Sequence, residues 1–200
     1  IRISDGILKQ LSDAYRRIRN TSRFILGNLS DFDPGQNAVA LDQMLEIDRF
    51  MLHRLCQLIE RTRGAYNTYD LHVIYHTRYN FCTVDLSSFY LDILKDRLYT
   101  SAPDSLKRRS AQTVMHILLD AMVKLMAPVM AFTAEEIWQY MPANGTRESS
   151  VHLTLFPEPT QSWRDEALAQ RWEQILALRA EVTKALETAR AEKLIGHPLD

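Results

Sequence analysis

Tyr15-Arg-Arg-Ile-Arg-Asn-Thr-Ser-Arg-Phe-Ile-Leu-Gly-Asn-Leu-Ser-Asp-Phe-Asp-Pro34 carries four arginines on what its periodicity predicts to be one amphipathic helix. At about 100° per residue, Leu8, Leu11, Tyr15, Ile18, Ser22, Ile25 and Leu29 fall on a single stripe. Arg16, Arg19 and Arg23 share an i, i+3, i+7 spacing and line the edge of that stripe, whereas Arg17 points elsewhere. A rigid row of guanidinium forks suits phosphates and base edges, because each fork donates two parallel hydrogen bonds. The same row could equally be a solvated face or a set of intramolecular ion pairs.

The chain has 200 residues, 46% of them hydrophobic, which is enough for a substantial core in one large domain or two small ones. A net charge of −1 excludes a protein that coats nucleic acid indiscriminately, so any basic site must be local. The charge is indeed segregated. Arg2, Lys9, Arg16, Arg17, Arg19 and Arg23 face only Asp5 and Asp13 in the first thirty residues. Asp31, Asp33, Asp42, Glu46 and Asp48 then outweigh Arg49, and Lys95, Arg97, Lys107, Arg108 and Arg109 restore a cationic stretch. Cys56 and Cys82 are too few and too far apart for a disulfide framework or a zinc knuckle, which predicts a reducing, cytoplasmic setting. No signal peptide is visible, and the uncharged stretch 125–134 is too short to span a membrane. The chain opens at Ile1 and enters a helix almost at once, which reads as a piece of something longer.

Helical periodicity predicts an all-α antiparallel bundle. A first helix should run from an N-cap at Ser4 to Gly27-Asn28, and a loop over 29–40 should follow. A second helix is expected over 42–67 and a third from the break at 67–70 to about Leu98. A fourth should open after a capped turn at Ser101–Asp104, reach Met126 and be interrupted by Pro128. Thr133-Ala-Glu-Glu136 reads as a capping box for a short helix through Met141. Val151–Phe156 alternates like a short extended segment. A last helix over 163–193 should carry an apolar stripe and end with a cap at Gly196. These elements divide as a bundle over 1–142, a connecting loop packed on it over 143–161, and a C-terminal helix over 162–200.

No catalytic centre is visible. His72 and His76 sit one helical turn apart without a third ligand, so no metal site is assigned. None of the six His follows an acidic residue by three positions, the glycines never cluster into a phosphate loop, and no nucleophile elbow occurs. Ser88–Thr100 crowds Asp92, Lys95, Asp96 and Arg97 beside large aromatics. A core-facing Asp92 there would need a cationic partner, for which Arg19 or Arg23 is the natural candidate. Trp138 and Tyr140 read as core residues rather than base-stacking platforms.

The phrase at 15–24, Asn28-Leu-Ser-Asp-Phe-Asp-Pro34 and Phe89-Tyr-Leu-Asp-Ile-Leu-Lys-Asp-Arg-Leu-Tyr99 together resemble the bacterial isoleucyl-tRNA synthetases. More narrowly, they resemble the helical anticodon-binding domain shared by class I synthetases of the isoleucyl, valyl and leucyl group. Weaker matches follow in the same order, including Tyr69-Asp-Leu-His72, Phe132-Thr-Ala-Glu-Glu-Ile-Trp138, Val151-His-Leu-Thr154 and Leu194-Ile-Gly-His-Pro-Leu199, so the resemblance spans nearly the whole chain. Leu155 departs from it, standing where an acidic residue is usual.

The resemblance implies a tRNA-binding module within an enzyme that activates isoleucine with ATP and magnesium and esterifies it to its tRNA. The catalytic core and a zinc-bearing C-terminal segment would lie outside this chain, leaving no cofactor or catalytic residue within it. Expected partners are the anticodon stem-loop of isoleucine tRNA and the other domains of the same chain. A monomer without membrane contact is expected. Unstacked loop bases are where RNA sequence is readable, since the deep A-form groove is closed to side chains. Arg16, Arg19, Asn20 and Arg23 would meet loop phosphates or base edges, Lys95, Arg97 and Tyr99 would form the opposite wall, and Arg108 and Arg109 would track the backbone. The rival readings are a helical linker whose arginines are consumed by carboxylates, and the equivalent domain of a valyl- or leucyl-tRNA synthetase.

Overall fold

A computed structural model of the chain describes residues 3–143, 145 and 147–196. Its helices are α1 (Asp5–Asn28), α2 (Glu46–Asn67), α3 (Leu71–Asn80), α4 (Leu91–Thr100), α5 (Leu106–Met126), α6 (Ala131–Tyr140) and α7 (Glu166–Ala191). A π-helical segment, Phe81–Tyr90, joins α3 to α4. Among the described residues the only other regular elements are three short 3₁₀ turns, so the fold is all-α. Two compact units divide between Arg164 and Asp165.

The first unit is built around α2 and α5. Successive turns of α2 bury Phe50, Met51, Leu52, Leu55, Leu58 and Ile59, and α5 buries Val114, Met115, Leu118, Leu119 and Leu125. α3 packs on α2, and α1 lies against the π segment, α5 and α6. The helix ends follow local chemistry. Ser4 caps α1 by accepting from the Ile7 amide, and Ser105 caps α5 by accepting from Arg108, one residue later than the expected cap. Pro128 stops α5, and the stranded Leu125 carbonyl accepts from the Tyr66 hydroxyl at 2.8 Å and from buried Arg78 at 3.2 Å. Burial depresses the Arg78 pKa. α2 ends in a Schellman turn, with Asp70 N–H donating to Ala65 C=O and Tyr69 at φ 58°.

Several expectations are corrected. The third helix is not one continuous α-helix, because residues 81–90 wind with i→i+5 bonds, such as Leu91 N–H to Leu86 C=O. Only the second half of the α1 stripe is buried. Ala14, Ile18, Ser22, Ile25 and Leu29 pack inside, whereas Leu8 and Leu11 are exposed. The reason is the reach of α6, whose first turn meets α1 no earlier than the hydrogen bond between the Tyr15 and Thr133 hydroxyls. Thr133 is therefore no cap, and α6 begins at Ala131. Trp138 is buried as expected, but Tyr140 is 75% exposed. Val151–Phe156 does not extend as a strand: Val151–Leu153 is a 3₁₀ turn that buries only Val151.

The second unit is α7 and its tail. Asp165 caps it by accepting from the Leu168 amide at 2.9 Å. Its end is a Schellman turn at Lys193, with φ 60°, rather than a cap at Gly196. His197 lies outside the described residues. Ile175, Leu178, Val182 and Leu186 of the apolar stripe are exposed.

Candidate nucleic-acid interface

Arg17, Asn20, Thr21 and Phe24 recur at i, i+3, i+4 and i+7, one face of α1. That face forms one wall of an open cleft whose other wall is Thr83, Ser87 and Ser88 of the π segment with Leu91, Asp92 and Lys95 of α4. The two walls are tied at their base by the Thr21 and Ser87 hydroxyls, 3.0 Å apart. Neither the Arg17 guanidinium nor the Asn20 side-chain amide has a hydrogen bond or ion pair among the described residues; the Arg17 carbonyl accepts from the Thr21 hydroxyl at 3.0 Å. Lys95 donates to Asp92 at 2.9 Å across one helical turn, and that contact raises the lysine pKa. Asp92 thus faces solvent beside Lys95 rather than the core, and neither Arg19 nor Arg23 is its partner. The cleft combines an uncommitted guanidinium, a side-chain amide and an aromatic ring, the groups that hold phosphate, read a base edge and stack on a base.

The sequence-predicted residues are distributed unevenly around this cleft. Asn20 and Lys95 line it. Arg23 is exposed on the next strip of α1 and carries no ion pair among the described residues. Arg16 is exposed and, among the described residues, pairs only with Asp13, at 2.7 Å. Tyr99 is 65% exposed at the end of α4. The others are committed within the protein. Arg19 donates to both oxygens of Glu136, at 2.6 and 2.9 Å, pinning α1 to α6. The pair raises the arginine's pKa and lowers the carboxylate's.

Arg97 does not form an outer wall. It turns inward and grips buried Asp48 through bonds of 2.9 and 3.0 Å, because Asp48 has no water to solvate it. Arg108 and Arg109 do not project outward to track a backbone either. Both reach back to the α1–α2 loop, where Arg108 donates to both Asp31 carboxylate oxygens at 3.0 Å and Arg109 to the Asp31 carbonyl at 2.8 Å. Partial burial works to raise the Asp31 pKa, but the Gln112 amide and the two arginines outweigh it and hold the carboxyl below its ordinary value.

Sequence reasoning passed over Arg17, Phe24 and Ser87. Arg17 falls off the row formed by Arg16, Arg19 and Arg23, yet α1 has a second packed side against the π segment. The 17, 20, 21, 24 spacing was the available signal.

Among the described residues no group of three His, Cys, Asp or Glu could hold a metal, and no helix is long and apolar enough to cross a membrane. Both cysteines are buried, and burial pushes the Cys82 thiol up to about 12, so it stays a thiol.

Comparison with known proteins returns one family over most of the chain: residues 48–200 match the anticodon-binding domain of tRNA ligase. The isoleucine–tRNA ligase of Syntrophotalea carbinolica is 58% identical over the whole chain, and that of Geobacter sulfurreducens 55%. The Bacillus mycoides isoleucine–tRNA ligase is 50% identical, also over 100% of the chain. The chain spans about a fifth of the length of these relatives, 21%, 21% and 22% respectively. With a helical bundle, a cationic cleft and these matches in register from end to end, the chain belongs to the family of anticodon-binding domains of tRNA ligases.

Proposed function

We propose that the cleft between α1 and α4 receives the anticodon loop of isoleucine tRNA, and that the chain serves an enzyme that joins isoleucine to that tRNA. The observation that carries this is the convergence of Arg17, Asn20 and Phe24, two of them uncommitted polar groups, opposite Lys95. Splayed loop bases would stack on Phe24 and offer their edges to Asn20, while Arg17, Lys95 and the nearby Arg16 and Arg23 hold phosphates. Isoleucine is preferred over valine or leucine because the relatives described above are all isoleucine–tRNA ligases.

Activation of the amino acid with ATP and magnesium falls to parts of such an enzyme outside the described bundle, and so does any zinc site. The described residues offer neither a glycine-rich phosphate loop nor a metal-binding cluster. We assign the protein to the cytoplasm as a monomer, on the ground that tRNA charging serves translation there.

The linker reading has one observation in its favour, the consumption of Arg19, Arg97, Arg108 and Arg109 by carboxylates or carbonyls. It leaves the cleft unexplained. The test compares isoleucine tRNA with a mismatched tRNA in filter binding to the parent protein and to Asn20→Ala and Phe24→Ala variants. Loss of discrimination in the variants supports the cleft. Equal, feeble retention of both tRNAs by the parent protein favours the linker.

A further inference from the structure

On the far side of the π segment a second groove runs between α2 and α3. Arg54, Gln57 and Arg61 line it from one face of α2, at i, i+3 and i+7, and His76, Thr77 and Asn80 line it from α3. Its one lining acid is Asp85. That carboxylate is already taken, because Arg54 donates Nε to it at 3.0 Å, brings Nη2 within 2.9 Å and sends Nη1 to Gln57 at 2.6 Å. Burial also pushes the Asp85 pKa up, partly offset by Arg54.

What remains is a surplus of donors. Arg61 is exposed and has no ion pair or hydrogen bond among the described residues, although Glu60 and Arg63 beside it are both paired. Neither ring nitrogen of His76 is bonded there, and its ring stands edge-on to Tyr75. The Thr77 hydroxyl oxygen is buried without a partner. A helical threonine ordinarily satisfies its hydroxyl on the carbonyl one turn back, so this orphan costs free energy unless an acceptor arrives. The Arg61 guanidinium and the Asn80 amide line one space whose lining acid is already paired, a set that complements an oxyanion.

The two grooves share a wall. Phe81 and Asp85 line the α2–α3 groove, while Thr83, Ser87 and Ser88 line the α1–α4 cleft from the same ten residues. The grooves are therefore separated by about one helix diameter, roughly 10–12 Å, a gap that a short single strand bridges. We propose that the α2–α3 groove holds a backbone phosphate of the same RNA whose loop enters the α1–α4 cleft, with Arg61 as its principal contact. This rests on the anticodon reading above and adds a contact to it. The contact positions the strand and reads no base, because phosphates carry no sequence information.

The test uses the full-length protein carrying this chain, with Arg61→Ala and, as the reference for the first cleft, Arg17→Ala. Affinity for isoleucine tRNA is measured across a salt series, with a mismatched tRNA in parallel. Arg61→Ala is expected to weaken both tRNAs by the same factor at low salt and to flatten log K against log salt by about 0.7–0.9, the signature of one lost phosphate contact. Arg61 is solvent-exposed and unpaired, so melting should not move. An unchanged slope for Arg61→Ala alongside weakened binding by Arg17→Ala overturns the second groove and leaves the anticodon reading standing. If neither variant changes binding, both fall. If Arg61→Ala weakens binding and Arg17→Ala does not, the shared-strand geometry is overturned.

Discussion

Asp48 and Arg97, 49 residues apart in sequence, meet inside the bundle through two bonds of 2.9 and 3.0 Å. The carboxylate is wholly buried and also accepts from the Tyr90 hydroxyl at 2.7 Å and the Ser110 hydroxyl at 2.5 Å. One acid thereby ties the start of α2 to the π segment, α4 and α5. Removing one member of such a set strands the other in a dry interior. Arg97→Ala is expected to cost about 3–5 kcal/mol and Ser110→Ala about 1 kcal/mol. Urea denaturation followed by circular dichroism measures both, and a loss under 1 kcal/mol for Arg97→Ala would contradict the geometry.

Arg108 and Arg109 are expected to behave as fold residues too. Substituting either by Ala should lower the melting temperature while leaving tRNA affinity within about twofold, as for a group with no phosphate contact. Because Asp31 titrates below its ordinary value when folded, its contribution is complete above the unfolded pKa of about 3.9 and disappears as pH falls through the folded one. Melting scans between pH 5 and 2.5 should show this loss, and Asp31→Asn should blunt it.

His116 gives a second pH dependence at a different range. Its ring donates to the Pro142 carbonyl at 3.1 Å and lies tilted against Phe32. Burial drives its pKa below the ordinary 6.5, and the Pro142 bond only partly restores it. The folded state thus disfavours the proton, so stability is full above the unfolded pKa and falls with acidification through the folded one. Melting temperature should decline between pH 7 and 5, and His116→Gln should remove most of that slope.

Tyr69 occupies the left-handed position that ends α2, at φ 58°, with its ring 85% exposed. A side chain there costs about 1–2 kcal/mol, and the exposed ring returns little packing. Tyr69→Gly should raise stability by up to about 1 kcal/mol, read as a higher denaturation midpoint. A fall would mean that the Tyr69 side chain stabilises the fold by more than the left-handed backbone costs.

The bundle was legible because its determinants are local. The Ser4 cap, the Pro128 stop and the apolar spacing of α2 and α5 each act within a turn or two of chain. The candidate site was legible only in part, because a helical wheel ranks residues by one apolar stripe while α1 is packed on two sides. Asn20 and Lys95 come from the stretches that carry the family resemblance, whereas the wheel leaves Arg17 aside. Arg97, Arg108 and Arg109 read as outward cations because their acceptors, Asp48 and Asp31, lie 49 to 78 residues away and nothing nearby marks them. The π winding of 81–90 was invisible for a similar reason. The helical reading runs through it without a break, and the ties that accompany the winding, the Thr21–Ser87 hydroxyl pair and the Arg54–Asp85 pair, join it to α1 and α2 far away in sequence.

That winding sets a reading frame for everything after it. An α-helix turns by about 100° per residue, so inserting one more residue between 81 and 90 that the winding does not absorb would rotate α4 by roughly a quarter turn. Lys95 would swing away from Asn20 and Arg97 would lose the line to Asp48, although no residue of either pair had been touched. Insertions and deletions are ordinarily cheapest in loops; here a ten-residue stretch of helix behaves like a gear tooth, and its length should be among the least negotiable properties of the chain.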